Sequence, residues 1–92
     1  MKNQLFNEVP VESDTIILGQ KEVMIGGIDA LCQCWMWEGI KGWSMMFFTD
    51  VVQDMSDEEL VGLVRQVEVI TTSTTIKRGE KWTFVNFNFR VQ

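Results

Sequence analysis

The chain has no histidine and no tyrosine, a single proline, and two cysteines in 92 residues. It also has only 8 basic side chains against 13 acidic ones, a formal net charge of −5. Each shortage excludes something. Without histidine there is no His-dependent catalytic triad and no zinc site built on imidazole, the side chain most used for proton transfer near neutral pH. A deficit of Lys and Arg argues against direct gripping of nucleic acid, which needs an excess of positive charge to displace counterions. Cys32 and Cys34 form a C-x-C pair. On a strand that spacing puts both thiols on one face about 6–7 Å apart, at or past the limit of disulfide geometry. Two thiols also fall short of the four ligands of a structural zinc. They read as free cysteines in a reducing compartment, with no metal and no cofactor. No apolar run approaches the roughly 20 residues needed to cross a bilayer, and MKNQLFNEVPVESD has no apolar core of signal-peptide length. The expectation is a soluble cytoplasmic protein that does not enter membranes.

What is abundant is apolar. Hydrophobic residues make up 46% and charged ones 23%, a globular composition, and six Met, four Trp and six Phe are unusual in so short a chain. The length allows one domain, 1–92, with 1–13 as an irregular N-terminal arm holding Pro10. Thr15–Leu18 and Glu22–Ile25 read as two short strands around a turn at Gly19–Lys21, and Gly26-Gly27 as the next breaker. Nothing after that glycine pair resembles the Gly-Lys-Ser/Thr ending of a phosphate-binding loop. Residues 29–38, DALCQCWMWE, fit either a helix capped by Asp29 or a strand. Their Trp and Cys content favours the strand, followed by a buried strand over Trp43–Thr49. Ser56 with Glu59 forms a capping box, with Asp57 and Glu58 in the first turn and Met55 and Leu60 as a staple. A helix over 56–67 follows, its stripe being Leu60, Val61, Leu63, Val64 and Val67. Gly62 within it suggests close packing against the sheet. Glu68–Ile76 is β-branched, Lys77–Glu80 a turn, and Lys81–Val91 the strongest strand. The order β-β-β-β-α-β-β, about five to six strands, predicts an α+β domain: a small antiparallel sheet packed by one main helix.

Three features are candidates for function. The first is an acidic stretch, Asp50, Asp54, Asp57, Glu58 and Glu59, which alone equals the net charge. It reads as helix capping and solvation, or as a patch for a basic partner; it has no glycine at the position a calcium loop requires. The second is a basic turn of Lys77, Arg78 and Lys81 around Gly79, an ordinary exposed turn or a contact for phosphate or an acidic protein. The third is the aromatic surplus. Gln33, Trp35 and Trp37 share one face of their strand; Trp82, Phe84, Asn86, Asn88 and Arg90 share one face of theirs. With Trp43 and the Met-Phe run beside it, these load both faces of a sheet that one helix covers only in part. A domain of this length buries about 60–65% of its unfolded surface, so part of the surplus is either enclosed by a curled sheet or left as an interface.

The primary expectation is a small, acidic, non-catalytic binding protein acting by protein–protein contact. It would be a homodimer, or an inhibitor or adaptor of a larger complex of a basic or nucleic-acid-handling kind, as among accessory proteins of phages and mobile elements. The alternative is a small-molecule or nucleotide-binding domain, with the aromatics and the asparagine pair lining a pocket between sheet and helix. An enzyme working through Asp50, Glu38 or a cysteine thiolate ranks third, because no base stands at a recognisable spacing from either thiol.

Overall fold

The structure is a computed structural model that describes residues 14–92; the N-terminal arm expected over 1–13 lies outside the described residues. Five strands form one antiparallel sheet: β1 (Thr15–Ile25), β2 (Ile28–Trp37), β3 (Ile40–Phe48), β4 (Thr75–Arg78) and β5 (Trp82–Val91). Their spatial order is β1-β2-β3-β5-β4. Two helices, α1 (Thr49–Val52) and α2 (Asp57–Arg65), lie between β3 and β4 in the chain. This is the expected α+β architecture.

Local chemistry accounts for the hairpins. Gly26 (φ 57°) and Gly27 (φ 80°) turn β1 into β2, and Glu38 (φ 46°) with Gly39 (φ 78°) turns β2 into β3. Two consecutive residues at positive φ match the right-handed twist of flanking strands, which is why two-residue links of this type close hairpins. At 29–38 the strand wins over the helix.

The turn expected at Gly19–Lys21 does not form. β1 runs through it, and the register with β2 shifts between Ile17 and Gly19, so that Leu18 is an extra residue in a bulge. The local break in hydrophobicity thus marks an irregularity within one long edge strand. The β-branched run 68–76 is also not a strand over its length; only Thr75–Arg78 pairs with β5.

α2 begins where the sequence puts it. Ser56 accepts from the Glu59 backbone N–H (3.1 Å), and the Glu59 carboxylate accepts from the Ser56 N–H (3.0 Å). Leu60, Leu63 and Val64 are buried, whereas Val67 lies past the helix end and is exposed. Gly62 points to solvent, and a Cβ built there would meet nothing within 4 Å, so close packing is not its reason.

The helices cover one face of the sheet. Their buried side chains join Ile25, Ala30, Cys32, Met45, Phe47, Val85 and Phe87 in one cluster. On the other face a smaller cluster of Leu31, Met46 and Trp82 is flanked by Phe48 and Phe84. No described helix lies on that second face. No helix among the described residues is long and apolar enough to cross a membrane.

Candidate functional site: a tryptophan-lined groove on the second face

The alternation of side chains along two strands builds the site. On β2, Gln33, Trp35 and Trp37 project to the second face; on β5, Trp82, Phe84 and Asn86 do the same. Together with Thr15 and Ile17 of β1 and Ser44 of β3 they line a groove of about 500 Å³. The two aromatic walls face each other across β3, and the turn at Gly79–Lys81 forms one rim with Lys77. The groove therefore lies on the side of the sheet away from the helices, not between sheet and helix.

A row of polar side chains crosses the floor. Gln20, Gln33, Ser44, Asn86 and Thr75 are successive cross-strand neighbours, one from each of the five strands. Gln33 Nε2 donates to Gln20 Oε1 (2.8 Å), Ser44 Oγ donates to Asn86 Oδ1, and Asn86 Nδ2 donates to Thr75 Oγ1 (3.3 Å). Trp35 Nε1 donates to Ser44 Oγ (2.7 Å), which fixes the tilt of its indole. That indole lies on the backbone of Gly42: a Cβ there would sit 2.6 Å from Trp35 Cζ2. Gln33 and Ser44 are buried, and no buried side-chain nitrogen or oxygen among the described residues lacks a hydrogen-bond partner. A satisfied polar row in an apolar wall fixes orientation at little cost, since partners replace the lost water.

The rim is anchored from beneath. Thr49 donates its N–H to Lys81 O (2.9 Å) and its hydroxyl to Gly79 O (2.8 Å), and Gly79 N donates to Trp82 O (2.9 Å). A side chain at Gly79 would start 2.9 Å from the Trp82 carbonyl oxygen, so the turn closes only with glycine. Lys81 Nζ stands 5.2 Å from the Trp82 ring centroid, within cation–π range. Among the described residues, the charged side chains lining the groove are Lys77, Lys81 and Glu80.

The residues singled out from the sequence thus separate. Trp35, Trp37, Trp82, Phe84, Asn86, Lys77 and Lys81 come together in the groove. Trp43 does not; it packs on the helix-side core, with Lys41 Nζ and Arg90 Cζ 5.4 and 5.7 Å from its ring. Asn88 and Arg90 also leave the face shared by Trp82 and Phe84, because the β3–β5 register shifts between Lys41 and Trp43. Asn88 adopts φ 54° and fastens the loop after α2. Its Oδ1 accepts from the Thr71 N–H (2.6 Å) and hydroxyl (3.0 Å), its Nδ2 donates to Val69 O (2.7 Å), and its N–H donates to Thr72 Oγ1 (2.7 Å).

Arg78 parts from its two lysine neighbours. Its guanidinium reaches Asp57 Oδ1 (3.0 Å), Val52 O (3.2 Å) and Met55 O (2.8 Å), tying β4 to the α1–α2 connection. One member of the basic turn is therefore paired within the chain to one member of the acidic stretch. Asp50 on α1, Asp54 in the turn between the helices and Glu58 on α2 are exposed, away from the groove lining. Among the described residues no group of three or more Cys, Asp or Glu side chains is placed to hold a metal ion.

Cys32 and Cys34 are free. Burial first, and then the Glu68 carboxylate, push the Cys32 thiol above its ordinary value of 9.0. It stays protonated near neutrality and is a poor nucleophile.

Sequence reasoning placed Gln33 beside the tryptophans but did not single it out, and it passed over Ser44, Gln20 and Thr75. A signal existed for Ser44, the one polar residue inside the run Trp43–Phe48. Comparisons of the chain with protein-family models, with curated proteins and with solved structures found no match.

Proposed function

We propose that this chain is a non-catalytic binding domain that takes a small planar ligand into the groove on the second face of its sheet. The observation that carries the reading is the groove itself: about 500 Å³, walled by three tryptophans and Phe84, with Gln33, Ser44 and Asn86 on its floor. Ligand sites are typically mostly apolar concavities of about 300–1,000 Å³ with a few placed polar groups. Flat rings gain most from such walls, because offset or edge-on aromatic contacts add to simple burial.

The test is thermal denaturation in the presence of a panel of planar aromatic and heteroaromatic compounds. A ligand present at 100 times its dissociation constant stabilises the fold by about 2.7 kcal/mol, a shift of several degrees for a domain of this size. Trp37 is 38% exposed, so Trp37→Ala removes a groove wall with little effect on the core. It should abolish the shift while leaving the unliganded melting temperature nearly unchanged. A panel that leaves the melting temperature unmoved throughout would count against the reading.

A second reading, contact with another protein, is supported by a different observation. β1 is an edge of the sheet, eleven residues long, and carries Ile16, Leu18 and Met24 at 63%, 49% and 66% exposure. Long apolar edges are templates for pairing with another strand. The partner proposed is a second copy of this chain, joined along β1. Sedimentation over a hundredfold concentration range should show a dimer that Leu18→Lys dissociates; a monomer at every concentration would exclude it.

A further inference from the structure

We infer that two copies of this chain pair antiparallel along β1 about a two-fold axis at Gln20, so that the two sheets become one and Met24 of each copy reaches the outer end of the other's groove. This rests on the edge-pairing reading above and gives it an axis, a register and a consequence for the groove. The axis follows from which residue can face its own copy. β1 pairs with β2 on one side, and no other described strand pairs with its far side. Opposed residues of antiparallel strands in a continuous sheet share a face, so the axis falls on one residue, which then stands opposite itself. Gln20 is the midpoint of Thr15–Ile25, five residues from either end. Its neighbours suit the axis less. Two Lys21 or two Glu22 side chains would set like charges face to face, which destabilises a cross-strand pair. Gly19 on the axis would set Gln20 against Ile17. A carboxamide is self-complementary, because it both donates and accepts. Gln20 Oε1 accepts from Gln33 Nε2 (2.8 Å), while Gln20 Nε2 donates to no described residue. Across the axis each Nε2 meets the second lone pair of the other copy's Oε1. The polar row Thr75-Asn86-Ser44-Gln33-Gln20 then continues into the second copy without a break.

Two further observations fit this register. Counted past the bulge residue Leu18, Ile16 falls opposite Val23 of the second copy, Met24 opposite its Thr15 and Lys21 opposite its Gly19. Ile16 and Met24, 63% and 66% exposed in one chain, thereby gain cross-strand partners. Gly19 finds a reason as well. A Cβ there would meet nothing within 4 Å and its φ is not positive, so no contact within the described chain requires glycine. Opposite Lys21, its bare backbone leaves room for the lysine stem. Thr15 and Ile17 form the outer bank of the groove. Met24 of the second copy lands beside Thr15 on the same face and extends that bank with an apolar side chain.

The experiment is disulfide trapping in the 92-residue chain, with sedimentation of the wild type beside it. Cys34→Ser provides the background, since Cys34 is the less buried of the two native thiols; its melting temperature verifies that it folds, and its own linking sets the unspecific level. Opposed Cα atoms on antiparallel strands lie about 4.5–5.5 Å apart, inside the range of about 4.4–6.8 Å that a disulfide spans. Gln20→Cys should therefore link to itself under mild oxidation, and an equal mixture of Thr15→Cys and Met24→Cys should give the mixed dimer. Met24→Cys alone should not link, because its own copy lies more than about 20 Å away along the strands. Gln20→Glu, which sets two carboxylates on the axis, should weaken dimerisation tenfold or more at pH 7. A wild type that stays monomeric at every concentration overturns the axis and the edge reading together. A dimer that Leu18→Lys dissociates, but in which the Thr15→Cys and Met24→Cys mixture does not link, overturns the axis and leaves the edge reading standing. Met24→Cys linking to itself as readily as the mixture does overturns the axis in the same way.

Discussion

Two glycines in this chain have opposite reasons for being there, and they should answer oppositely to the same substitution. Gly62 sits in the middle of α2 facing solvent, where a methyl group meets nothing. Glycine in a helix interior costs about 0.5–1 kcal/mol relative to alanine, through the extra freedom of the unfolded chain. Gly62→Ala should therefore raise stability in urea unfolding by about that amount. Gly42 sits under the Trp35 indole, where the added carbon would lie 2.6 Å from the ring. Gly42→Ala must push the indole off Ser44, and about 1–3 kcal/mol should be lost. If both variants move stability in the same direction, the packing described at one of them is wrong. The sequence shows two glycines; only the fold separates the free one from the crowded one.

At the scale of elements, the capping box of α2 contains a titratable group, Glu59. Hydrogen bonds from the Ser56 backbone N–H and with the Ser56 side chain hold the Glu59 carboxyl below its ordinary 4.5. A carboxylate whose value is depressed by folding contributes stability above its unfolded value, and that contribution is lost as pH falls through the folded one. Wild type should thus exceed Glu59→Gln in melting temperature at pH 7. The difference should shrink once pH drops below about 4.5, since glutamine retains part of the box but does not titrate. A difference that stays constant from pH 7 to pH 3 would show that the charge of Glu59 plays no part.

Elements with a local cause were legible in advance. The cap at Ser56 needs only residues within one turn, and the alternations Gln33-Trp35-Trp37 and Trp82-Phe84-Asn86 need only the pleat of their own strands. Elements set at a distance were not. The bulge at Leu18 replaces a turn because β2 continues to pair on both sides of it. Residues 68–74 are β-branched, yet the loop they form is latched by Asn88 rather than paired as a strand. A separate register shift, between β3 and β5, carries Asn88 out of the groove, and no pattern within β5 announces it. The groove was legible as a surplus of aromatics and illegible as a place, because which face the helices take depends on the whole chain.

The molecule as a whole is a two-sided sheet with unequal sides. The helix side holds the larger buried cluster, and the second side divides its apolar surface with a line of polar atoms running edge to edge. Ser44 is the middle of that line, accepting from Trp35 and donating to Asn86. Ser44→Ala strands both partners, and about 1–3 kcal/mol of stability should go with it, together with the ligand-induced melting shift. A loss under about 0.5 kcal/mol would mean that water replaces the hydroxyl without penalty.

That line also bears on how the chain avoids misassembly. Antiparallel strands rich in Val, Ile, Phe and Met tolerate a slip of two residues, since the same faces stay inward and one apolar contact replaces another. Such a slip of β3 against either neighbour would set Gln33 or Asn86 opposite Met46 or the bare Gly42, breaking the line. The chain thus carries, at one position in each strand, a check on its own threading, and a mis-slipped sheet is penalised at every broken junction.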